Sequence, residues 1–196
     1  MGRAFDGLVE VINNSLDADA LGVSVHLDRD SLRRVVAVRV IDDGDGMTED
    51  EATRGFGRYG ASWKAAGGPT RRRRTALRGS KGQGRYGAFA IGDRAEWSSV
   101  PRDAKPPTRT TVRGSRSDLL RFEIESTPLP GATPDEAPPR GTSLRISDTS
   151  EAAGRLTAPD THQRLTAALA AYLVRHPGVQ CQLSLERHRS ATKCHQ

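Results

Sequence analysis

A carboxylate and a carboxamide lie one helical turn apart near the start of the chain, in the segment LVEVINNSLDADA at residues 8–20. At 3.6 residues per turn, Glu10, Asn14 and Asp17 share one face of an amphipathic helix, while Ser15 falls on the opposite face with the apolar residues. The simplest interpretation is a polar face in solvent. The chemical interpretation is a pair of groups placed to hold a metal ion and a water molecule.

A second group of chemically useful residues is DDGDGM, residues 42–47, at the end of a predicted strand. A carboxylate at Asp42 is sheltered there, and burial is costly unless hydrogen-bond donors reach it. The exocyclic amine of a purine is a suitable donor, and Gly44 and Gly46 let the backbone approach a flat base. The alternatives are an Asp-rich turn and a weak calcium loop, although the EF-hand spacing is absent.

Two further segments are punctuated by glycine. GSKGQG at residues 79–84 runs through Arg85 into a predicted helix, so its amides can form an anion-binding nest to which Lys81 adds charge. Taken alone, it is an ordinary glycine-rich loop, because it does not follow a strand as a dinucleotide fingerprint must. The last segment, GTSLRI at residues 141–146, reads alone as an ordinary strand entry, with Thr142 a common β-former.

These residues need a framework of helices and strands. Hydrophobic periodicity and turn residues predict an opening helix, a short helix opened by a Thr48–Glu51 capping box, and helices at Tyr86–Ile91 and about Asp160–Arg175. The predicted strands are Val23–Asp28, Val35–Ile41, Arg94–Val100, Thr108–Arg113, Leu119–Ser126, Thr142–Ser147 and Val179–Leu185. The second strand, VVAVRVI, is a nearly continuous apolar run, which predicts a strand buried along its length. Helices followed by hairpins indicate an α+β layered domain.

The composition sets limits on the class of protein. A chain of 196 residues with 35% hydrophobic residues suits one domain with a modest aliphatic core. The net charge of +6 and the pI near 9.9 are typical of proteins with anionic partners such as a nucleotide, a nucleic acid or a membrane surface, and the charge alone does not choose among them. The apolar runs fall short of a membrane span, and Cys181 and Cys194 match no metal-binding spacing. We therefore expect a soluble cytoplasmic protein without a membrane partner.

Four motifs occur in a fixed order: E-x-x-x-N-S-x-D-A, then D-x-G-x-G-M, then G-x-x-G-x-G, then G-T. This arrangement, from residue 8 to about residue 185, resembles the GHKL ATPases, which include gyrase B subunits, the large heat-shock chaperone, histidine kinases, MutL and MORC proteins. The resemblance is nearest to the MutL-, MORC- and chaperone-like branch that hydrolyses ATP. It implies a Bergerat-type two-layer α/β sandwich over residues 1–185, with a mixed, mostly antiparallel sheet, helices on one face and a frayed tail at 186–196.

The resemblance also implies roles for individual residues. Glu10 matches the general base that activates the attacking water, and Asn14 matches the ligand of Mg²⁺. Asp17 completes the first motif as an orienting residue. Asp42 matches the carboxylate that accepts a hydrogen bond from the adenine amino group, and Thr142 matches the hydroxyl that supports this contact.

The remaining positions carried over by the resemblance line the nucleotide. Those on the base and sugar side are Gly44, Gly46 and Met47. Those on the phosphate side are Gly79, Lys81, Gly82, Gln83, Gly84 and Arg85. The segment 55–85 corresponds to the ATP lid, and Lys64 lies in its YGASWK sequence, which resembles the lid of MutL- and MORC-like members.

These matches predict that the chain binds ATP with Mg²⁺ and hydrolyses it slowly, with lid closure coupled to dimerisation or to binding of a partner domain. Seven residues precede Leu8 and the chain ends before a transducer-like domain, so we expect inefficient hydrolysis by this chain alone. Two alternatives stay open: a catalytically degenerate nucleotide-binding or interaction module, and a basic nucleic-acid-binding surface that uses Arg71–Arg74, Arg78 and Arg85. A charge run is more often a solvated surface.

Overall fold

The fold was described from a computed structural model, which covers residues 3–57, 70, 84–129 and 139–187. Its helices are α1 (Arg3–Asp17), α2 (Glu49–Phe56) and α3 (Thr161–Arg175), with 3₁₀ helices at Gly84–Ala90 and Glu151–Thr157. Its strands are β1 (Gly22–Arg29), β2 (Val35–Asp42), β3 (Gly92–Val100), β4 (Thr108–Ser115), β5 (Asp118–Pro128), β6 (Gly141–Thr149) and β7 (Gln180–Arg187). Each predicted strand is present, whereas the 3₁₀ helix at Glu151–Thr157 was not predicted.

The strands form one seven-stranded sheet in the order β5-β4-β3-β6-β2-β1-β7. Every neighbouring pair is antiparallel except β1 and β7, which are parallel. The core lies between α1 and one face of this sheet, where Leu8, Ile12 and Leu16 of the helix are buried together with Val38 and Ile146 of the sheet. The fold is therefore an α+β two-layer sandwich, as the sequence predicts.

The expectation that β2 is buried along its whole length is wrong. Its side chains alternate: Val38 and Val40 are buried, Arg39 is half-buried and Ile41 is 36% exposed. The reason is that, among the described residues, the second face of the sheet carries polar side chains. On that face Arg39 forms an ion pair with Asp28 at 3.0 Å.

Local sequence features explain how the helices are placed. The predicted capping box at the start of α2 is confirmed, because the Glu51 side chain accepts from the Thr48 amide at 2.9 Å and the Thr48 hydroxyl accepts from the Glu51 amide at 3.3 Å. At the other end of α2, Phe56 packs on Trp97 of β3 and Phe122 of β5, with ring centroids 4.9 and 5.1 Å away. This aromatic cluster fixes α2 against the sheet.

The last strand, β7, ends two residues later than predicted. β7 continues past Leu185 to Arg187, and Glu186 pairs with His26 at 2.6 Å and with Arg39 at 2.5 Å on the polar face of the sheet. Of the helices in the described part of the chain, none has the length and apolar character needed to cross a bilayer.

Candidate functional site

Asp42 lies at the end of β2, where its carboxylate collects hydrogen bonds from three separate elements. Ser15 of α1 donates its hydroxyl to Oδ2 at 2.7 Å. The amides of Gly44 and Thr142 donate to Oδ1 at 3.0 and 3.1 Å. The residue is only 9% exposed, so these donors compensate for the removal of a carboxylate from water.

The protonation equilibrium of Asp42 reflects this environment. Burial raises the pKa of the carboxyl above its ordinary value of 3.8, the three hydrogen bonds act in the opposite direction, and the neighbouring charge of Asp43 raises it slightly further. An ionised carboxylate offers about four acceptor positions. The described residues fill both positions of Oδ1 and one of Oδ2, which leaves a single acceptor position on Oδ2.

The hydroxyl of Ser99 joins the two loops next to Asp42, and the sequence did not indicate it. Ser99 on β3 lies opposite Thr142 on β6 in the strand register. Its Oγ accepts from the Met47 amide at 2.8 Å, lies 3.0 Å from Thr142 Oγ1 and 3.3 Å from the Gly141 carbonyl oxygen. A serine within a strand has no motif around it, so only the three-dimensional pairing reveals this role.

The glycines of the 42–47 loop are required by contacts within the protein. A Cβ at Gly44 would lie 2.7 Å from the Ala18 carbonyl oxygen of the segment that follows α1. Gly46 has a φ of +69°, and a Cβ there would lie 2.5 Å from the Val100 carbonyl oxygen. The loop is thus wedged between α1 and β3, a closer constraint than the approach of a flat ligand that the sequence suggested.

The carboxylates of the two other aspartates of this loop make different contacts, and that of Asp45 lies 3.6 Å from Arg102 Nε. Asp43 Oδ1 accepts from the amides of Leu21 and Gly22 at 2.7 and 2.9 Å. Arg102 donates from its guanidinium to the Asp43 carbonyl oxygen at 3.0 Å, and its backbone amide donates to the Asp45 carbonyl oxygen at 2.9 Å. The Asp42 carboxylate, in contrast, faces Ser15 and β6. Arg102 is a second residue, after Ser99, that the sequence did not indicate.

The residues of α1 reach the site from one side. Ser15, which the helical wheel assigns to the apolar face, contacts Asp42, because that face meets the end of the sheet. Asp17, assigned to the polar face, is only 4% exposed. Glu10 and Asn14 are half-buried, so the polar face is partly covered by protein rather than open to solvent.

Glu10 lies against the 3₁₀ helix that follows the predicted phosphate loop. A Cβ at Gly87 would come within 3.1 Å of the Glu10 Cβ and 3.4 Å of its Cγ. This contact places Glu10 beside the segment that begins at Gly84 and includes Arg85. Lys64, Gly79, Lys81, Gly82 and Gln83 lie outside the described residues, as do Arg71–Arg74 and Arg78.

The oxygen donors near Glu10 suit a metal ion that takes few ligands from the protein. In the described segments there is no group of three or more His, Cys, Asp or Glu residues arranged to hold a metal. Mg²⁺ is commonly bound by one or two protein oxygens with phosphate oxygens and water as the other ligands. The Asn14 carboxamide, one turn from Glu10, fits that requirement.

Comparison with known proteins gives one family match, over the first part of the chain. The model of the histidine kinase-, DNA gyrase B- and HSP90-like ATPase family matches residues 4–120, more than half of the 196 residues. The chain belongs to this ATPase family. The comparison with curated proteins gave no match. The family match supports ATP binding in general, and it ends before Thr142, so the place of Thr142 in the site depends on its contacts with Asp42 and Ser99.

Proposed function

We propose that the chain binds ATP with Mg²⁺ at the end of β2 and hydrolyses it slowly. The observation that carries this proposal is the carboxylate of Asp42, which is buried, held by three donors and left with one acceptor position. A buried acceptor of this kind favours a ligand that brings one hydrogen-bond donor.

The number of acceptor positions favours adenine among the purines. Adenine presents its exocyclic amine beside an acceptor nitrogen, so a single position on Asp42 Oδ2 satisfies its donor. Guanine presents a ring N–H and an amine side by side, and this edge pairs best with both oxygens of a carboxylate. Because the Gly44 and Thr142 amides occupy Oδ1, that two-oxygen pairing is blocked.

The other end of the nucleotide is assigned to the N-terminal part of α1. Ser15 lies five positions after Glu10, so at 1.5 Å per residue the two lie about 7.5 Å apart along the helix axis. Asn14 would hold Mg²⁺, which neutralises charge on the phosphates. Glu10 would take a proton from the water whose oxygen attacks the γ-phosphorus, with ADP as the leaving group.

The finer assignments rest on the resemblance of the motifs. The presence of Glu10 with the N-S-x-D-A ending favours the MutL-, MORC- and chaperone-like branch, in which closure of a lid, here residues 55–85, is coupled to dimerisation or to a partner domain. The same reasoning extends the ATP-binding domain over residues 1–185, and a cytoplasmic location is proposed as well.

The test is a calorimetric titration of Mg-ATP into the wild-type protein and the Asp42→Asn variant. Asparagine keeps an oxygen for the Gly44 and Thr142 amides, and Ser15 can rotate to accept from the new amide group. The variant therefore keeps the local packing and turns the free acceptor into a donor. The matched control is Asp30→Asn, which changes an aspartate that binds backbone amides in the turn between β1 and β2.

We expect Asp42→Asn to lose about 1–3 kcal/mol of binding free energy, equivalent to about 5- to 150-fold in affinity. Asp30→Asn should bind as the wild type does. Equal binding by wild type and Asp42→Asn would assign the nucleotide to another site. A folded wild type that binds no ATP would overturn the proposal and favour the degenerate interaction module.

A further inference from the structure

The hydroxyl of Thr142 has a hydrogen-bond direction that its neighbours determine. Thr142 Oγ1 is half-buried at the start of β6 and lies 3.0 Å from Ser99 Oγ. Each hydroxyl has one proton, so only one of the two can donate across this contact. If Thr142 donates to Ser99, it presents only lone pairs to a ligand. If Ser99 donates to Thr142, the Thr142 proton is available to a ligand.

The contacts of Ser99 favour the second arrangement. Its Oγ already accepts from the Met47 amide at 2.8 Å, and a hydroxyl that accepts a hydrogen bond becomes a better donor. The acceptors within reach of its proton are Thr142 Oγ1 at 3.0 Å and the Gly141 carbonyl oxygen at 3.3 Å. The Thr142 oxygen is the nearer of the two.

We propose that Ser99 is a positioning residue that orients the Thr142 hydroxyl as a donor towards the ligand. This inference rests on the proposed ATP site and adds to it a residue outside the four sequence motifs. Asp42 then offers an acceptor and Thr142 a donor, side by side on neighbouring strands. This pair complements the edge of adenine, on which the amine donor lies beside the acceptor N1, whether the contact is direct or through one water.

The same face of the sheet supplies a matched control. Thr110 on β4 lies opposite Ser99 in the register, and its hydroxyl contacts that of Ser126 on β5 at 3.2 Å. Thr110 is 1% exposed and lies one strand further from Asp42. Thr110→Val removes a buried hydroxyl from the same row of residues without touching Thr142, so it measures the general cost of such a loss.

The experiment is a double-mutant cycle in which Mg-ATP is titrated into wild type, Ser99→Ala, Thr142→Val and the double variant. Valine at 142 keeps the backbone amide that holds Asp42 and removes only the hydroxyl. If Ser99 acts through Thr142, the losses overlap, and the double variant binds about as well as Thr142→Val alone. Ser99→Thr, which restores a hydroxyl, should recover binding. Thr110→Val should leave affinity unchanged.

A second ligand tests the direction of the hydrogen bond. An ATP analogue with carbon in place of adenine N1 cannot accept from Thr142, so the wild type should bind it about 3- to 10-fold more weakly than ATP, as expected for one hydrogen bond. In Ser99→Ala this preference should shrink towards one. A change in stability alone would not alter the ratio of two ligand affinities.

Three results would overturn the inference while leaving the proposed function intact: full binding by Ser99→Ala, losses from Ser99→Ala and Thr142→Val that multiply in the double variant, or an unchanged ligand ratio in Ser99→Ala. A wild type that binds ATP in a manner insensitive to Asp42→Asn would instead reject the site itself, and the role of Ser99 with it.

Discussion

Gly7 of α1 and Gly87 of the 3₁₀ helix at Gly84–Ala90 are in direct backbone contact. A Cβ at Gly7 would lie 2.4 Å from the Gly87 carbonyl oxygen, and a Cβ at Gly87 would lie 3.0 Å from the Gly7 carbonyl oxygen. Because Glu10 is one turn along α1 and touches Gly87, this crossing sets the distance between the proposed base and the segment that follows the predicted phosphate loop.

Gly87→Ala should therefore push α1 away from the 3₁₀ helix. We expect a loss of about 1–3 kcal/mol in the free energy of unfolding, as for other overpacked contacts. ATP turnover should fall more than ATP affinity, since Glu10 moves with the helix whereas Asp42 lies on the sheet. Denaturant titration, calorimetry and a phosphate-release assay measure the three quantities.

Gly154→Ala in the 3₁₀ helix at Glu151–Thr157 is the control for this substitution, because a Cβ there meets no atom within 4 Å. In a helix this change should stabilise the protein by about 0.5–1 kcal/mol and leave turnover unaltered. Similar behaviour of the two variants would show that the crossing of Gly7 and Gly87 does not constrain Glu10.

Glu10→Gln separates hydrolysis from binding. Glutamine has the size of glutamate but cannot take a proton from water, so we expect turnover to fall by about 10²- to 10⁴-fold. The dissociation constant of Mg-ATP should change little, because the base acts in the transition state. Steady-state phosphate release measures the turnover, and calorimetry measures the dissociation constant. Glu123→Gln, on the exposed side of β5, is the control. Normal turnover in Glu10→Gln would assign the base elsewhere.

The sequence predicted the strands well because each has a local signature. The β-branched run of β2 and the Thr48–Glu51 capping box are decided by residues within a few positions of each other, and both are present. The burial of Ile41 could not be decided locally. Whether a second layer covers the outer face of a sheet depends on where distant helices pack, and here that face is polar.

The motifs of the candidate site stand out in the sequence, whereas the contacts that support them do not. Asp42 stands in a glycine-punctuated motif, whereas Ser99 and Arg102 belong to β3 and the loop after it and have no such context. Ser15 lies within the first motif, but the helical wheel assigns it to the apolar face. A helical wheel carries no information about the end of the sheet that packs beside that face. These residues become visible only when the strand register places β3, β6 and β2 side by side.

The aromatic cluster around Phe56 should contribute substantially to stability. Phe56 is 7% exposed and packs on Trp97 and Phe122. We expect Phe56→Ala to cost about 3–5 kcal/mol of unfolding free energy through lost burial and the cavity that remains. Leu120→Ala on β5, where the side chain is 68% exposed, should stay within about 0.5 kcal/mol of wild type. Comparable losses in the two variants, measured by denaturant titration, would show that the cluster adds no special stability.

The protonation of Asp42 should make ATP binding dependent on pH. Burial raises the pKa of this carboxyl, so the folded protein takes up the proton at a higher pH than the unfolded chain, whose aspartate has the ordinary pKa of 3.8. In the absence of nucleotide, protonation of Asp42 therefore favours the folded state as the pH falls. The amine of adenine, however, requires the ionised carboxylate as its acceptor.

Affinity for Mg-ATP should consequently decline as the pH is lowered from neutrality, and the decline should begin above the pH at which an ordinary aspartate titrates. Calorimetric titrations at a series of pH values measure it. Asp42→Asn lacks the titrating group but is exposed to the same protonation of the nucleotide, so the difference between the two profiles isolates Asp42. Parallel profiles would mean that the Asp42 carboxylate does not accept a hydrogen bond from the ligand. The assignment of adenine to the end of β2 would then fail.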